Sequence, residues 1–341
     1  MRFPKPLQPG DRIGVTAPSS GVAEHLRPRL DHAIGRLRDR GYQVEVGECL
    51  VADGVTSAPK EQRAAELTRM LLDPAIRAVV PPWGGELAVD LLDQLDWERL
   101  EVAAPTWMVG FSDISTLLLP LTLRLGWATL HGSNLMDTPY APAPGLLHWT
   151  DVAGAVEPFT QRSPGRFRSD GWDDYRGHPD VGTMTLDAEG TWSLHGAGRL
   201  DVTGRLVGGC IDTLANLAGT TYGDVAAFGR DHTDQGLVVY LEAAEQDAFT
   251  ICRALHGFRL AGWFEHARAI VIGRTSAPGS GDFTQRDAVV DALGMLGLPI
   301  VLDVECGHVQ PFLPLVNGAL ARVVVDDTRR EITQSFAGRP S

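Results

Sequence analysis

The chain has 341 residues, of which 44% are hydrophobic and 21% charged, and its formal net charge at pH 7 is −13. This length exceeds what one ordinary hydrophobic core requires and predicts a globular protein of two domains. The acidic balance, in a sequence without a run of Lys or Arg, argues against binding to nucleic acid or to an anionic membrane surface.

The first twenty residues, MRFPKPLQPGDRIGVTAPSS, are interrupted early by Pro and Gly and contain no apolar run of signal-peptide length. The longest apolar segment, 114–125, is too short to span a bilayer and contains Pro120. The cysteines are scattered without a Cys-x-x-Cys pair: Cys49, Cys210, Cys252 and Cys306. We therefore expect a cytoplasmic protein with reduced, mostly buried thiols and no zinc site.

Strand and helix patterns alternate in the N-terminal part of the chain. Apolar, β-branched runs predict strands at 12–17, 42–46, 76–80 and 106–109. Helical periodicity predicts helices at 23–40, 61–72, 87–95 and from Ile114 onward. This alternation predicts a parallel sheet covered by helices on both faces, which binds ligands at the carboxyl ends of its strands.

Residues 137–199 change in character, because they are rich in Pro, Gly, Asp and Trp and have little periodicity. They predict a long crossover with a few short β segments, such as 182–186. Beyond Val202, strands are predicted at 237–241, 269–272, 300–304 and 322–325, and helices at 249–261 and 286–296. We divide the chain into an N-terminal domain (1–140), a crossover linker (141–200) and a C-terminal domain (201–341).

The strongest chemical signal is Ser112, in the segment Gly-Phe-Ser-Asp-Ile between a predicted strand and a predicted helix. A serine on such a turn can present its hydroxyl as a nucleophile, and the amide of Asp113 could stabilise an oxyanion. Ser112 could equally be the N-cap of the helix. The last glycine of the Gly-x-Ser-x-Gly elbow is absent, since Ile114 occupies its position.

A second signal is the turn Pro-Trp-Gly-Gly-Glu at 82–86, which also follows a predicted strand. Paired glycines let a backbone approach a ligand closely, so the amide of Gly85 is a candidate second oxyanion donor and Glu86 a candidate for contact with the substrate. An ordinary tight turn would give the same sequence.

The candidate base is His308, in the loop after the predicted strand 300–304, because histidine has a pKa suited to general-base catalysis. His131 follows another possible strand and competes with it. Glu242 ends the strand 237–241 and could orient the base, but Glu245 follows closely and the residues alone do not choose between the two carboxylates.

Taken together, these segments resemble the LD-carboxypeptidase family, which includes murein tetrapeptide carboxypeptidases and microcin C self-immunity peptidases. The matching segments run in family order over nearly the whole chain: 9–13 (PGDRI), 17–20 (APSS), 83–86 (WGGE), 110–115 (GFSDIS), 130–132 (LHG), 204–209 (GRLVGG), 241–242 (LE), 273–274 (GR) and 307–308 (GH).

The resemblance implies a Rossmann-like, flavodoxin-like parallel-sheet domain followed by a smaller, β-rich α/β domain. It implies a triad of Ser112, Glu242 and His308, and it favours Glu242 over Glu245. The oxyanion amides would be those of Gly85 and Asp113. It also implies a homodimer that needs no metal and no organic cofactor.

Two positions depart from the family pattern, since Cys210 stands where Asn is usual and Ser133 where Pro is usual. The Trp-Gly-Gly-Glu turn and the tryptophans of the crossover are more similar to the microcin-immunity branch, in which an aromatic side chain stacks on a nucleotide base. Trp172 and Trp192 are the candidates for this contact, although each could instead be a packing residue.

The resemblance implies a serine peptidase that cleaves an amide bond in a small conjugate, most simply an aminoacyl or peptidyl nucleotide. The alternative is removal of a terminal D-Ala from a muropeptide. A non-catalytic small-ligand binding protein is the alternative of another class, and the filled triad positions argue against it. A dinucleotide-dependent oxidoreductase is disfavoured because no Gly-x-Gly-x-x-Gly follows the first strand.

Overall fold

The computed structural model describes residues 1–52, 54–196, 198–232 and 234–336. The chain divides into two units. The N-terminal unit contains Met1–Ala141, His148–Val156 and Gly171–Met184, and the C-terminal unit contains Pro142–Leu147, Glu157–Asp170 and Thr185–Ser341.

The N-terminal unit contributes five parallel strands to its sheet. They are β1 (Arg12–Val15), β2 (Gln43–Val46), β3 (Ile76–Val79), β4 (Trp107–Gly110) and β5 (Thr129–His131). Their order across the sheet is β5-β4-β3-β1-β2, which is the flavodoxin-like order. Successive strands are added on one side of β1 and then on the other, so the topological switch point lies between β1 and β3. Ligands of such sheets bind beyond the carboxyl ends of the strands at this switch point.

The helices of this unit follow from apolar residues at helical spacing. They are α1 (Arg27–Asp39), α2 (Lys60–Leu72), α3 (Trp97–Val102), α4 (Ser115–Leu125) and α5 (Trp149–Gly154), with 3-10 turns at Glu24–Leu26, Ala88–Leu91, Ser112–Ile114 and Leu135–Asp137. In α1, Leu30, Ala33, Ile34 and Leu37 form one buried face. Helix α4 is buried almost throughout, as expected for a helix whose sequence is mainly Leu.

Eight strands form the mixed sheet of the C-terminal unit, in the order β6-β16-β15-β10-β11-β12-β13-β9. The strands of this unit are β6 (Phe159–Arg162), β7 (Arg166–Phe167), β8 (Ala188–Glu189), β9 (Ser193–His195), β10 (Leu200–Cys210), β11 (Leu237–Glu242), β12 (Ala267–Gly273), β13 (Ile300–Val304), β14 (Leu315–Asn317), β15 (Leu320–Val325) and β16 (Arg330–Ser335). Strands β10 to β13 run parallel, and β7 pairs with β8 in a separate two-stranded ladder.

Four helices accompany this sheet: α6 (Ile211–Leu214), α7 (Val225–Asp231), α8 (Ala248–Leu260) and α9 (Gln285–Leu293), with 3-10 turns at Ala215–Leu217 and Gly294–Leu296. The parallel strands are β-branched runs buried on both sides, as in β11, where all six residues are buried. Strand β10 places Cys210 beside Glu242 of β11 in the sheet register. Both residues therefore lie at the carboxyl ends of parallel strands.

The structure corrects the prediction in three places. No strand forms at 182–186, and the short strand of this region is β8. The predicted helix at 87–95 is a 3-10 turn over Ala88–Leu91, followed by the separate helix α3, which begins at the side-chain cap of Asp96. The crossover is not an independent linker, because its segments pack alternately into the two units, and the C-terminal unit is therefore not the smaller one.

Within the described ranges, none of the helices has both the length and the apolar character needed to cross a membrane.

Candidate active site

Ser112 occupies a strained backbone conformation on the turn between β4 and α4. Its φ is +63°, in the left-handed region that residues with a side chain seldom adopt, whereas the preceding Phe111 is extended. Such a conformation costs about 1–3 kcal/mol and persists only where the surrounding structure imposes it. A sharp strand-to-helix turn with a serine at its apex is the geometry that exposes a nucleophilic hydroxyl.

Asn134 and Gly110 hold the strand side of this turn. The Asn134 Oδ1 atom accepts a hydrogen bond of 3.3 Å from the Phe111 amide. Gly110 has φ +146°, and a Cβ atom there would lie 2.7 Å from Asn134 Oδ1. Only glycine therefore allows Asn134 to approach the backbone before Ser112.

The buried Asp113 carboxylate holds the other side of the turn. It accepts hydrogen bonds from the Ser19 hydroxyl at 2.6 Å, the Ala88 amide at 2.8 Å and the Thr116 hydroxyl at 3.3 Å. Burial raises the pKa of Asp113, and the negative charge of Glu86 acts in the same direction, while the three hydrogen bonds oppose the shift. Asp113 thus ties the loops after β1 and β3 to the turn that carries Ser112.

The glycine pair of the Trp-Gly-Gly-Glu turn lies against two serine-bearing loops. A Cβ atom at Gly84 would lie 2.7 Å from Ser112 Cβ and 2.8 Å from Ser112 Oγ. Gly85 has φ +136°, and a Cβ atom there would collide with the hydroxyls of Ser19 and Ser20. Glycine is therefore required at both positions by close approach, while Glu86 beside them is exposed.

Glu242 and His308 form a carboxylate–imidazole pair in the C-terminal unit. The His308 Nδ1 atom lies 2.8 Å from Glu242 Oε2, and the Glu242 side chain is 0% exposed. The His308 side chain is 18% exposed. This arrangement fixes the orientation of the ring and its tautomer, with Nδ1 donating to the carboxylate and Nε2 in the form that accepts a proton.

Two glycines let Glu242 fit beneath His308. A Cβ atom at Gly273 would lie 2.7 Å from Glu242 Cβ, and one at Gly307, where φ is +105°, would collide with the Glu242 carboxylate. Cys210 borders the same pair, since one ligand atom from each of Cys210, Glu242 and His308 lies within 4.8 Å of the others. Burial raises the pKa of the Cys210 thiol, as does the negative charge of Glu242, so the thiol stays protonated.

The other candidates from the sequence do not belong to the pair of Glu242 and His308. His131 is buried in β5, with its ring edge-on to Phe111 at 6.3 Å, and Glu245 is exposed. Trp192 is 2% exposed, in the core of the C-terminal unit, and donates a 2.5 Å hydrogen bond to Glu305, whereas Trp172 is 46% exposed. Burial leaves Trp192 little surface for a ligand, so the two tryptophans are not equivalent candidates.

Sequence reasoning missed Ser19 and Asn134, which position the turn around Ser112. The segment Ala-Pro-Ser-Ser after β1 carried a signal for Ser19, because it follows the strand next to the switch point of the sheet. Nothing in the sequence marks Asn134, which acts through a contact with a segment 23 residues away.

Two family models match this chain. The model of the LD-carboxypeptidase N-terminal domain matches residues 13–132, and the model of the LD-carboxypeptidase C-terminal domain matches residues 203–323. The chain belongs to the LD-carboxypeptidase family. Members of this family are serine peptidases, so the protein is a hydrolase of the carboxypeptidase type.

Curated relatives of the family cover nearly the whole chain. A carboxypeptidase-family protein of Vibrio cholerae is 25% identical over 338 residues, which are 96% of each chain. One of Streptomyces coelicolor is 28% identical over 95% of this chain and 93% of its own. The microcin C7 self-immunity protein MccF of Escherichia coli is 22% identical over 97% of this chain and 95% of its own.

The fold is also that of solved MccF structures. MccF in complex with glutamyl sulfamoyl guanosine superposes with a TM-score of 0.81 at 20% identity, covering 99% of each chain. An MccF-like protein of Bacillus anthracis superposes with a TM-score of 0.79 at 22% identity, covering 98% of this chain and 99% of its own. The predicted fold class, a flavodoxin-like parallel-sheet domain followed by a sheet-rich α/β domain, is confirmed.

Proposed function

We propose that this LD-carboxypeptidase family member hydrolyses its substrate through a triad of Ser112, His308 and Glu242. The observation that carries the proposal is the 2.8 Å hydrogen bond between His308 and the fully buried Glu242. A buried carboxylate on Nδ1 is the arrangement that makes a histidine an oriented general base. The strained conformation of Ser112, on a turn typical of nucleophiles, supports the serine as its partner.

In this mechanism, His308 Nε2 removes the proton from the Ser112 hydroxyl as the oxygen attacks the substrate carbonyl carbon. The resulting imidazolium is stabilised by Glu242, which stays ionised. Collapse of the tetrahedral intermediate expels the amine, which takes the proton from His308. Water, deprotonated by the same histidine, then hydrolyses the acyl-enzyme and regenerates Ser112.

The amides of Gly85 and Asp113 are the proposed donors to the oxyanion. Asp113 follows the nucleophile directly, at the beginning of the 3-10 turn and of α4, where backbone amides have no partner inside the helix. The close approach of Gly84 to Ser112 supports Gly85, because it brings the Trp-Gly-Gly-Glu turn to the nucleophile.

We propose an aminoacyl or peptidyl nucleotide as the substrate. MccF, with which this chain shares its fold over 99% of both chains, has been solved with glutamyl sulfamoyl guanosine and with aspartyl sulfamoyl adenosine. The exposed ring of Trp172 supports the same class, since an exposed aromatic face can stack on a nucleobase.

A muropeptide is the second candidate. The murein tetrapeptide carboxypeptidase of Pseudomonas aeruginosa is 26% identical over 73% of this chain and 71% of its own. The reaction would be the same acyl transfer to Ser112, with a terminal D-Ala as the leaving amine.

The test is a mass-spectrometric hydrolysis assay that offers the purified protein aspartyl sulfamoyl adenosine and a muropeptide tetrapeptide ending in D-Ala, in separate reactions. Ser112→Ala should remove turnover, and Ser112→Cys, which keeps a nucleophile at the same atom position, should retain a trace of it. Release of aspartate that depends on Ser112 supports the nucleotide substrate, and release of D-Ala alone supports murein recycling. Full activity in Ser112→Ala would refute the triad, and cleavage of neither substrate would favour a binding protein.

A further inference from the structure

A second cluster of titratable side chains lies outside the candidate active site, on helices α8 and α9. Cys252 and His256 lie four positions apart on α8, so both side chains project from one face of this helix. Asp291 projects toward them from α9. One ligand atom from each of the three residues lies within 4.8 Å of the other two.

Two of the three distances within this cluster are close to those of a tetrahedral metal site. Asp291 Oδ2 lies 3.4 Å from Cys252 Sγ and 3.2 Å from His256 Nε2. Zn²⁺ binds sulfur at about 2.3 Å and nitrogen or oxygen at about 2.0–2.2 Å, which in tetrahedral geometry separates two ligand atoms by about 3.4–3.6 Å. Asp291 therefore lies near the required separation from both other side chains, and Cys252 and His256 lie within 4.8 Å of each other.

We propose that Cys252, His256 and Asp291 form a binding site for Zn²⁺ or a similar thiophilic divalent ion. A thiolate, an imidazole and a carboxylate are the donors that select zinc over Mg²⁺ or Ca²⁺. Two of the three donors, the thiolate and the carboxylate, are anionic in the bound state and neutralise the charge of the ion.

The surroundings allow an ion to enter. The side chains of His256 and Asp291 are 35% and 58% exposed, and Cys252 is partly buried, so water can supply the fourth ligand. When the ion binds, the thiol proton of Cys252 is released and the single ring proton of His256 moves from Nε2 to Nδ1.

Arg259 opposes the site in one respect. Its guanidinium lies 3.3 Å from His256 Nδ1, which favours the tautomer with the proton on Nε2. When a metal binds Nε2, Nδ1 takes up a proton, and Arg259 must turn toward solvent. Arg259→Gln should therefore tighten zinc binding.

Such an ion would link helices α8 and α9, which lie between Glu242 and His308 in the chain. Helix α8 begins shortly after Glu242, and α9 precedes β13, which leads to His308. The expected absence of a zinc site was drawn from the scattered cysteines, and it overlooked the Cys-x-x-x-His spacing of Cys252 and His256. The ligand from α9 lies 35 residues beyond His256 in the chain, so no local motif contains it.

The experiment titrates Co²⁺ and Zn²⁺ into chelator-treated full-length protein. Co²⁺ should produce a near-ultraviolet thiolate-to-cobalt absorption band that saturates at one Co²⁺ per protein. Zn²⁺ should displace the Co²⁺, remove the band and raise the Tm. Cys252→Ser should abolish the band. Asp291→Asn should weaken Zn²⁺ binding about tenfold or more, since even partners that do not touch the metal contribute that much to affinity.

The matched control is Cys210→Ser, because Cys210 belongs to the other cluster with metal-ligand spacing, beside Glu242 and His308. The band should persist in Cys210→Ser. No band in the wild-type protein, a band that survives Cys252→Ser, or one lost in Cys210→Ser would each refute the proposal. His256→Ala, checked for native circular dichroism, replaces Cys252→Ser should that variant fail to fold. None of these readouts requires peptidase activity.

Discussion

The Ser19 hydroxyl donates a 2.6 Å hydrogen bond to the buried carboxylate of Asp113, 94 residues later in the chain. The same carboxylate oxygen accepts a hydrogen bond from the Ala88 amide. One oxygen atom thus joins the loops that follow β1, β3 and β4, three neighbouring strands of the parallel sheet. This junction therefore helps to hold the turn that carries Ser112.

Replacing Asp113 by Ala should destabilise the protein more than replacing it by Asn. The alanine leaves the buried Ser19 hydroxyl and Ala88 amide without their acceptor, at about 1–3 kcal/mol for each. In the Asp113→Asn variant the side-chain amide oxygen can replace the shared acceptor atom, while the contact with Thr116 is kept through the amino group. Urea denaturation of both variants measures the difference, and equal losses of unfolding free energy would contradict the shared acceptor.

The Asp113 carboxyl should also give the stability a distinctive pH dependence. Because burial raises its pKa in the folded chain, the native state holds this proton to a higher pH than the unfolded state does. The native state therefore binds more protons within this interval, and the contribution of Asp113 to the unfolding free energy falls as pH rises through it. The unfolding free energy of the wild type minus that of Asp113→Asn should decline as the pH rises above about 4, the ordinary pKa of an aspartate. If this difference in unfolding free energy instead rose with pH, the pKa of Asp113 would be lowered in the folded chain and not raised.

Gly84→Ala should reduce turnover while leaving most of the stability intact. The new Cβ atom would lie 2.7 Å from Ser112 Cβ, so either the serine or the Trp-Gly-Gly-Glu turn must move. Displacement of a reacting group by about 1 Å can cost on the order of 100-fold in rate. The measurement is kcat for the substrate identified by the hydrolysis assay.

Gly35→Ala is the matched control, because Gly35 lies within α1 and a Cβ atom there would meet nothing within 4 Å. This substitution should leave kcat unchanged and stabilise the protein by about 0.5–1 kcal/mol through helix propensity. Equal kcat values for Gly84→Ala and wild type would show that Ser112 tolerates the contact.

Glu242→Gln should lower kcat on the order of 10³–10⁴-fold without unfolding the protein. A glutamine can present its amino group to His308 Nδ1, which then holds the wrong tautomer for a base. Glu245→Gln removes the competing carboxylate, which is exposed, and should change kcat little. A larger loss in Glu245→Gln than in Glu242→Gln would exchange their roles.

The parallel sheet and the pair of Glu242 with His308 were accessible from the sequence for different reasons. Buried β-branched strands such as β11 have a local pattern, so their order along the chain predicted the fold class. The choice of Glu242 over Glu245 came from the resemblance, because two carboxylates at a strand end look alike until one is seen against His308. The role of Asn134 and the division of the crossover segments between the two units could not be predicted. Both depend on contacts between distant segments, for which the chain has no local signal.

Trp172 and Trp192 should respond to mutation in opposite ways. Trp172→Ala removes a ring that is 46% exposed, and if that ring stacks on a nucleobase, KM for aspartyl sulfamoyl adenosine should rise roughly tenfold with stability unchanged. Trp192→Phe keeps the packing but leaves the buried Glu305 carboxylate without its indole donor, which should cost about 1–3 kcal/mol of unfolding free energy and leave KM unchanged. Steady-state kinetics and urea denaturation of the two variants separate these effects. A rise in KM for Trp192→Phe alone would transfer the nucleobase contact to the C-terminal unit.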